Sequence, residues 1–282
     1  MKCAWDAFLS LLPIRFRNDI DRIGKDQLQE VRLRLGYPPE LVFQDRIIKL
    51  YSATTADDLK NCIHYISQYS PWSAGTIRYG YITGPGGHRV GIFGRYSKHD
   101  GHGYVLQTPA MLCLRVARDF ERIAPDFNQL YGSVLIIGPP GSGKTTILRD
   151  LIRQYSWIGD GNISVIDERE ELFPKCNDVF CFYPGNRTDV LSGCCKQVGI
   201  EWALRNMTPS VIAIDEITAQ EDCDAILHAG WCGVRLFATA HAGSMKDLLR
   251  RPSYAQLMKH KLFHSLLVMQ SDKKWTVERI ES

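Results

Sequence analysis

Ser133–Thr146 reads SVLIIGPPGSGKTT. It opens with Ser133–Ile137, a short apolar run of the kind that forms a strand buried on both faces. It continues through Gly138, Pro139, Pro140, Gly141, Ser142, Gly143, Lys144 and Thr145, which fit G-x-x-x-x-G-K-[ST]. It then enters Lys144–Tyr155, where Ile147, Leu148, Leu151 and Ile152 share one helical face. Strand, glycine-rich loop and helix in this order predict a loop that cradles phosphate. Glycine lets successive N–H groups curl toward one anion. The two prolines have no N–H, so the donors must come mainly from Gly141, Gly143, Lys144, Thr145 and Thr146. The helix start adds partial positive charge. Lys144 is expected to neutralise the β- and γ-phosphates of ATP, and Thr145 to offer its hydroxyl to Mg²⁺.

Working outward, such a loop calls for an acid at the end of a second buried strand. Val211–Glu216, VIAIDE, supplies two. Asp215 is the candidate Mg²⁺ ligand and Glu216 the candidate general base. Adjacent carboxylates are costly to bury without a cation, which suits a metal site. Asp167, Glu168, Arg169 and Glu170 follow another strand-like run, Asn162–Ile166; the acids, Glu168 among them, can orient water or Mg²⁺ there while Arg169 pairs locally, and a solvated loop is the plainer alternative. Thr239 and His241 end Arg235–Thr239 and its continuation, where they can hydrogen-bond a γ-phosphate; a surface histidine is the plainer alternative. Helices are expected at Gln197–Asn206 and Glu221–Ala229, so strand and helix alternate and imply a parallel α/β sheet. Leu266–Gln270 and Trp275–Ile280 read as a closing antiparallel hairpin.

The first half reads differently. Ala56–Tyr69 has Leu59, Ile63 and Ile66 at helical spacing, and β-like runs follow at Gly75–Thr83, His88–Gly94 and Leu112–Val116. Gly84–Gly87 is a turn between the first two. A small α+β domain over residues 1–124 and an α/β domain over 125–282 are the expected organisation. Between Pro71 and Arg118, the bases Arg78, Arg89, Arg95, Lys98, Arg115 and Arg118 stand against one acid, Asp100. The stretch can bind nucleic-acid phosphates, form a solvated face, or lend arginines to a nucleotide held by a neighbouring subunit.

The whole chain of 282 residues carries a formal charge of +3, too mild for bulk nucleic-acid binding by itself. No apolar run approaches the roughly 20 residues that span a bilayer, and the N-terminus reads as an amphipathic helix. The nine cysteines are scattered without a C-x-x-C pair, which suits a reducing cytoplasmic setting. His260 with His264, and His228 with Cys232, have metal-ligand spacing but no visible third ligand.

Glu30–Gly36 (EVRLRLG), Gly86–Arg95 (GGHRVGIFGR), Leu114–Arg118 (LRVAR), Gly138–Thr146 (GPPGSGKTT), Leu148–Gln154 (LRDLIRQ), Val165–Glu170 (VIDERE), Arg187–Leu191 (RTDVL), Pro209–Ile217 (PSVIAIDEI) and Ala238–Gly243 (ATAHAG) together carry a family resemblance. Over nearly its whole length the chain resembles the stage III sporulation protein AA family of secretion-type ATPases, relatives of type II and type IV secretion ATPases and pilus retraction motors. The resemblance implies a RecA-like P-loop ATPase core and a smaller N-terminal domain. It implies an acidic box, matched by Asp167–Glu170, and a histidine box, matched by Thr239 and His241. It also implies a homo-oligomeric ring, usually a hexamer, in which N-terminal arginines reach bound nucleotide; Arg78, Arg89, Arg95, Arg115 and Arg118 are the candidates. The expected partners are membrane channel or secretion components at the mother-cell face of a sporulation channel, with the protein peripheral to the membrane and nucleic acid not a partner. The rival readings are a nucleic-acid-stimulated, helicase-like ATPase and a nucleotide-gated scaffold with little turnover.

Overall fold

The structure, a computed structural model, describes residues 1–24, 26–68, 80–99, 103–176 and 178–280. Two compact units make it up: Met1–Asp119 with Pro174–Phe182, and Phe120–Phe173 with Tyr183–Ser282.

The first unit opens with helices α1 (Trp5–Ser10) and α2 (Ile14–Gly24). Short strands β1 (Glu30–Arg34), β2 (Glu40–Val42) and β3 (Ile47–Lys49) follow, then α3 (Ala56–Gln68), β4 (Tyr81–Thr83) and two long strands, β5 (Arg89–His99) and β6 (Gly103–Arg115). They form one antiparallel sheet in the order β3-β2-β1-β6-β5-β4. In β1, Val31 and Leu33 are fully buried while Glu30, Arg32 and Arg34 face partly outward. This period-two alternation turns one face to a core. That core takes Phe8 and Leu11, Phe16 and Ile20 of α2, and Leu59 and Ile66 of α3. His88 is buried in it: its Nε2–H donates to Ala4 O (2.9 Å) and its Nδ1 accepts from Ala117 N–H (3.0 Å).

Three features depart from the sequence expectation. The strands β1 to β3 have no long apolar run to mark them in the sequence, because each is three to five residues long and broken by charge. The runs at His88–Gly94 and Leu112–Val116 extend into the longer β5 and β6, whose outer ends carry polar residues and two register shifts, at Phe93/Gly94 and Arg95/Tyr96. Of Gly75–Thr83, residues 75–79 lie outside the described residues, and Tyr81–Thr83 forms β4. A two-stranded ribbon, β9 (Lys175–Cys176) with β10 (Val179–Phe180), also belongs to the first unit.

The second unit holds β7 (Val134–Gly138), α4 (Lys144–Ile158), β8 (Ile163–Asp167), β11 (Thr188–Ser192), α5 (Lys196–Asn206), β12 (Val211–Ile217), α6 (Gln220–Trp231) and β13 (Arg235–His241). Helices α7 (Met245–Leu249) and α8 (Pro252–Lys259) and strands β14 (Ser265–Met269) and β15 (Trp275–Arg279) complete it. The sheet runs β11-β8-β12-β13-β7-β14-β15, parallel except for β15, as the apolar runs implied. Every residue of β7 and β8 is buried, the pattern of strands covered on both faces. The buried polar residues of α4 fix the loops around it. Arg149 donates from Nε to Leu172 O (2.6 Å) and from Nη2 to Glu171 O (2.9 Å), holding the segment after β8. Asp150 accepts from the N–H groups of Arg122 (2.9 Å), Ile123 (2.7 Å) and Ala124 (2.8 Å). The carboxyl ends of β7, β8, β12 and β13 therefore meet along one edge, where open α/β sheets bind ligands.

Candidate active site

The loop between β7 and α4 is shaped by glycine. Gly141 (φ 74°) and Gly143 (φ 98°) take left-handed backbone conformations that a side chain would strain. The first helical bond runs from Ile147 N–H to Gly143 O (2.9 Å), and the amides of Lys144, Thr145 and Thr146 have no backbone acceptor among the described residues. Ser142 is buried, and its hydroxyl has no hydrogen-bond partner among the described residues. Free amides and an orphaned hydroxyl around a left-handed turn are what an anion with several oxygens would satisfy.

Lys144 points back over this loop. Its ammonium donates to Gly138 O (3.0 Å), Pro139 O (2.9 Å) and His241 Nδ1 (3.1 Å). Burial holds its pKa below the ordinary lysine value, with the charges of Asp215 and Glu216 opposing. Accepting from an ammonium requires a lone pair on Nδ1, so the ring proton of His241 sits on Nε2. That nitrogen faces Glu216 Oε1 at 3.1 Å. Arg169 Nη1 donates to the other oxygen of Glu216 (3.3 Å). Lysine, histidine, acid and arginine thus form one chain of contacts across the start of α4, β13, β12 and the loop after β8.

Asp215 receives two hydroxyls, from Thr145 (2.8 Å) and from Thr239 (2.6 Å). Desolvation raises its pKa and these two hydrogen bonds pull the other way. A hydroxyl and a carboxylate side by side are hard oxygen donors, the set that suits Mg²⁺. Thr239 also accepts from Glu216 N–H (2.7 Å), which pins the backbone where β12 is irregular. Ile214 pairs with Ala238 and Ile217 with Ala240, so β12 has one residue more than β13 between those pairs. The result is a bulge in which Glu216 takes φ 55°.

Asp167 ends β8, fully buried, and its carboxylate caps the next turn by accepting from Glu171, Leu172 and Phe173 N–H, at 2.9, 3.1 and 2.8 Å. Burial pushes its pKa up to about 6 against those bonds. Glu168 accepts from Lys196 Nζ at 2.6 Å, and the same ammonium lies 3.9 Å from Asp222 Oδ2. Asp222 in turn accepts from Thr218 and Ala219 N–H ahead of α6 (3.0 and 3.1 Å). Lys196 and Asp222 belong to no motif that marks them in the sequence: one is a lysine after two cysteines, the other an acid in a helix's first turn. A small pit of about 20 Å³ among Asp167, Glu168, Lys196, Asp215 and Glu216 has room for about one water.

The expected arginines lie in the first unit, apart from Arg78, which is outside the described residues. Arg118 donates to Leu28 O (2.6 Å). Arg115 approaches Glu30 (3.8 Å), and Arg89 stacks on Tyr81 (3.8 Å to the ring centroid). Arg95 is exposed on β5 without a partner among the described residues. No cluster of metal-ligating side chains occurs among the described residues, and the spaced histidines form none.

The family described as Sporulation stage III, protein AA, matches residues 6–280. The chain belongs to this family. Stage III sporulation protein AA of Bacillus subtilis (strain 168) is 36% identical over 277 residues, 93% of this chain and 90% of that protein. Among solved structures, the ATPase DotB of Legionella pneumophila superimposes with a TM-score of 0.56 at 16% identity, covering 95% of this chain and 80% of that one. The pilus retraction motor PilT with bound ADP gives 0.58 at 17%, covering 89% and 76%. At such identities the likeness shows the fold, a RecA-like core with an N-terminal domain, as the resemblance implied. No helix among the described residues is long and apolar enough to cross a membrane.

Proposed function

We propose that this family member is a Mg²⁺-dependent ATPase that works as a ring oligomer, energising a membrane channel or secretion complex from its cytoplasmic, mother-cell side during sporulation. The observation that carries the reading is the meeting of Thr145, Asp215, Glu216, Lys144 and His241 at one sheet edge within hydrogen-bond distance. The amides of Gly141, Gly143, Lys144, Thr145 and Thr146 would hold the phosphates, with the Ser142 hydroxyl as a further donor. On binding, Lys144 exchanges its loop carbonyls for β- and γ-oxygens. Mg²⁺, when bound through Thr145 and Asp215, would draw charge off the phosphate oxygens. Glu216 orients the attacking water and takes its proton. The pit beside Glu168 has the size for that water. His241 touches both Lys144 and Glu216, so it is placed to report the γ-phosphate to the base. A cation from a neighbour's N-terminal region completes the charge stabilisation, and Arg95, exposed and without a partner among the described residues, is the first of the arginines to test.

The test is phosphate release from purified protein with Mg-ATP over a protein concentration series, with and without single-stranded DNA. Turnover that rises with concentration, ignores DNA and vanishes in Lys144→Ala is the expected result. Turnover in Lys144→Ala comparable to the parent would sink the site. Activity that appears only with DNA would favour the helicase-like rival.

A further inference from the structure

The second unit has a half-open cavity of about 550 Å³ at the sheet edge opposite the phosphate loop, next to Ser133, Arg235 and His264, where β7, β13 and β14 begin. Its lining includes Arg235, Lys261 and His264 and, among the described residues, no carboxylate. The side chains of Arg235 and Lys261 are exposed and pair with no acid among the described residues.

The walls are fixed by bonds rather than left loose. Tyr131 N–H donates to Ser265 Oγ (2.9 Å), which donates back to Tyr131 O (2.9 Å). Ser133 Oγ accepts from Leu236 N–H (3.0 Å). His264 Nδ1 accepts from Ser133 N–H (3.2 Å), so its Nε2 carries a proton to donate. The ring lies so close to Gly132 that a Cβ there would sit 2.6 Å from it. Lys261 holds φ 53°, a left-handed conformation that persists in a non-glycine residue only where its surroundings impose it. Tyr131, 59% exposed, meets the His264 ring edge-on at 5.6 Å and carries the Arg279 guanidinium over its ring at 5.0 Å.

We propose that this cavity is a second nucleotide site, taking a nucleoside phosphate independently of the phosphate loop. Unneutralised guanidinium and ammonium groups match phosphate charge, and a fixed histidine N–H adds a directed donor. The aromatic wall suits a planar base, which a bare inorganic anion would not need. The volume lies in the range of small-molecule sites, about 300–1,000 Å³.

Equilibrium dialysis of the full chain against ADP, carried to millimolar concentration, counts the sites. The parent binds two ADP per chain. Lys144→Ala retains one. Arg235→Ala with Lys261→Ala, both exposed and outside the core, also retains one, the other weakened about tenfold or more. An unchanged thermal melt shows that the double variant is folded, and Tyr131→Leu weakens the same site without altering charge. One ADP per chain, lost in Lys144→Ala and untouched in the double variant, overturns the proposal. One ADP that survives Lys144→Ala and falls in the double variant supports this cavity and overturns the phosphate-loop reading instead.

Discussion

Lys196 is 6% exposed at its side chain, with Glu168 Oε2 at 2.6 Å and Asp222 Oδ2 at 3.9 Å. A charge that deep must be paired, and here one ammonium serves two acids from different elements. It aims Glu168 at the pit beside Asp215 and steadies the residue that caps α6. Replacing Lys196 by Met keeps the apolar stem and removes the aim. Phosphate release should fall about 10- to 100-fold while ADP affinity moves less than about threefold, the split expected when positioning rather than binding is lost. Lys196→Arg should recover part of the rate. Unchanged turnover in Lys196→Met would show that the contact serves the fold alone. At this scale the sequence marks Lys144, Thr145, Asp215 and Glu216, because each sits at a fixed offset from a glycine loop or an apolar strand. Lys196 has no such offset: its role depends on where β8 and α5 come to lie.

Strand β12 shows what an element adds. Its apolar run was legible, and its bulge was not. The extra residue sits at Asp215–Glu216, and Thr239 of β13 stitches it by accepting from Glu216 N–H and donating to Asp215. A left-handed glutamate is strained by about 1–2 kcal/mol relative to glycine. Glu216→Gly should therefore be more stable than Glu216→Ala by about 1 kcal/mol, although glycine ordinarily weakens a strand. Urea denaturation of the two variants measures the difference, and both should lose turnover. The reverse order would mean that the left-handed geometry is not held. The β5–β6 ribbon outruns its apolar sequence for a related reason: pairing such as Tyr96 with Leu106 and Lys98 with Tyr104 satisfies backbone groups without an apolar face to reveal it.

Over the whole molecule, a buried histidine of the first unit ties stability to pH. Burial lowers the pKa of His88 from 6.5 to about 4; the Ala4 carbonyl resists this and the Arg118 charge adds to it. The Ala117 N–H already fills Nδ1, so a second ring proton has no place to go. Between pH 6.5 and 4 the unfolded chain binds the proton and the folded chain does not, so stability rises with pH there. The contribution is complete above 6.5 and is lost as pH falls toward 4, up to about 3 kcal/mol. Denaturation of the parent and of His88→Asn at pH 7.5 and 4.5 isolates it: the stability gap between them should shrink at the lower pH. A gap that ignores pH would show that His88 does not titrate in this range.

The sequence by itself determined the parallel sheet, the glycine-rich loop between its first strand and helix, and the acids at the ends of two of its strands. Those depend on local pattern: buried runs, left-handed glycines and a helix start. Only the tertiary structure brought Pro174–Phe182 into the first unit, gathered Lys196 with Glu168 and Asp222, and turned Arg118 inward to Leu28 O. Those depend on contacts between residues far apart in the chain, and no spacing along a sequence encodes which distant backbone a buried charge will meet.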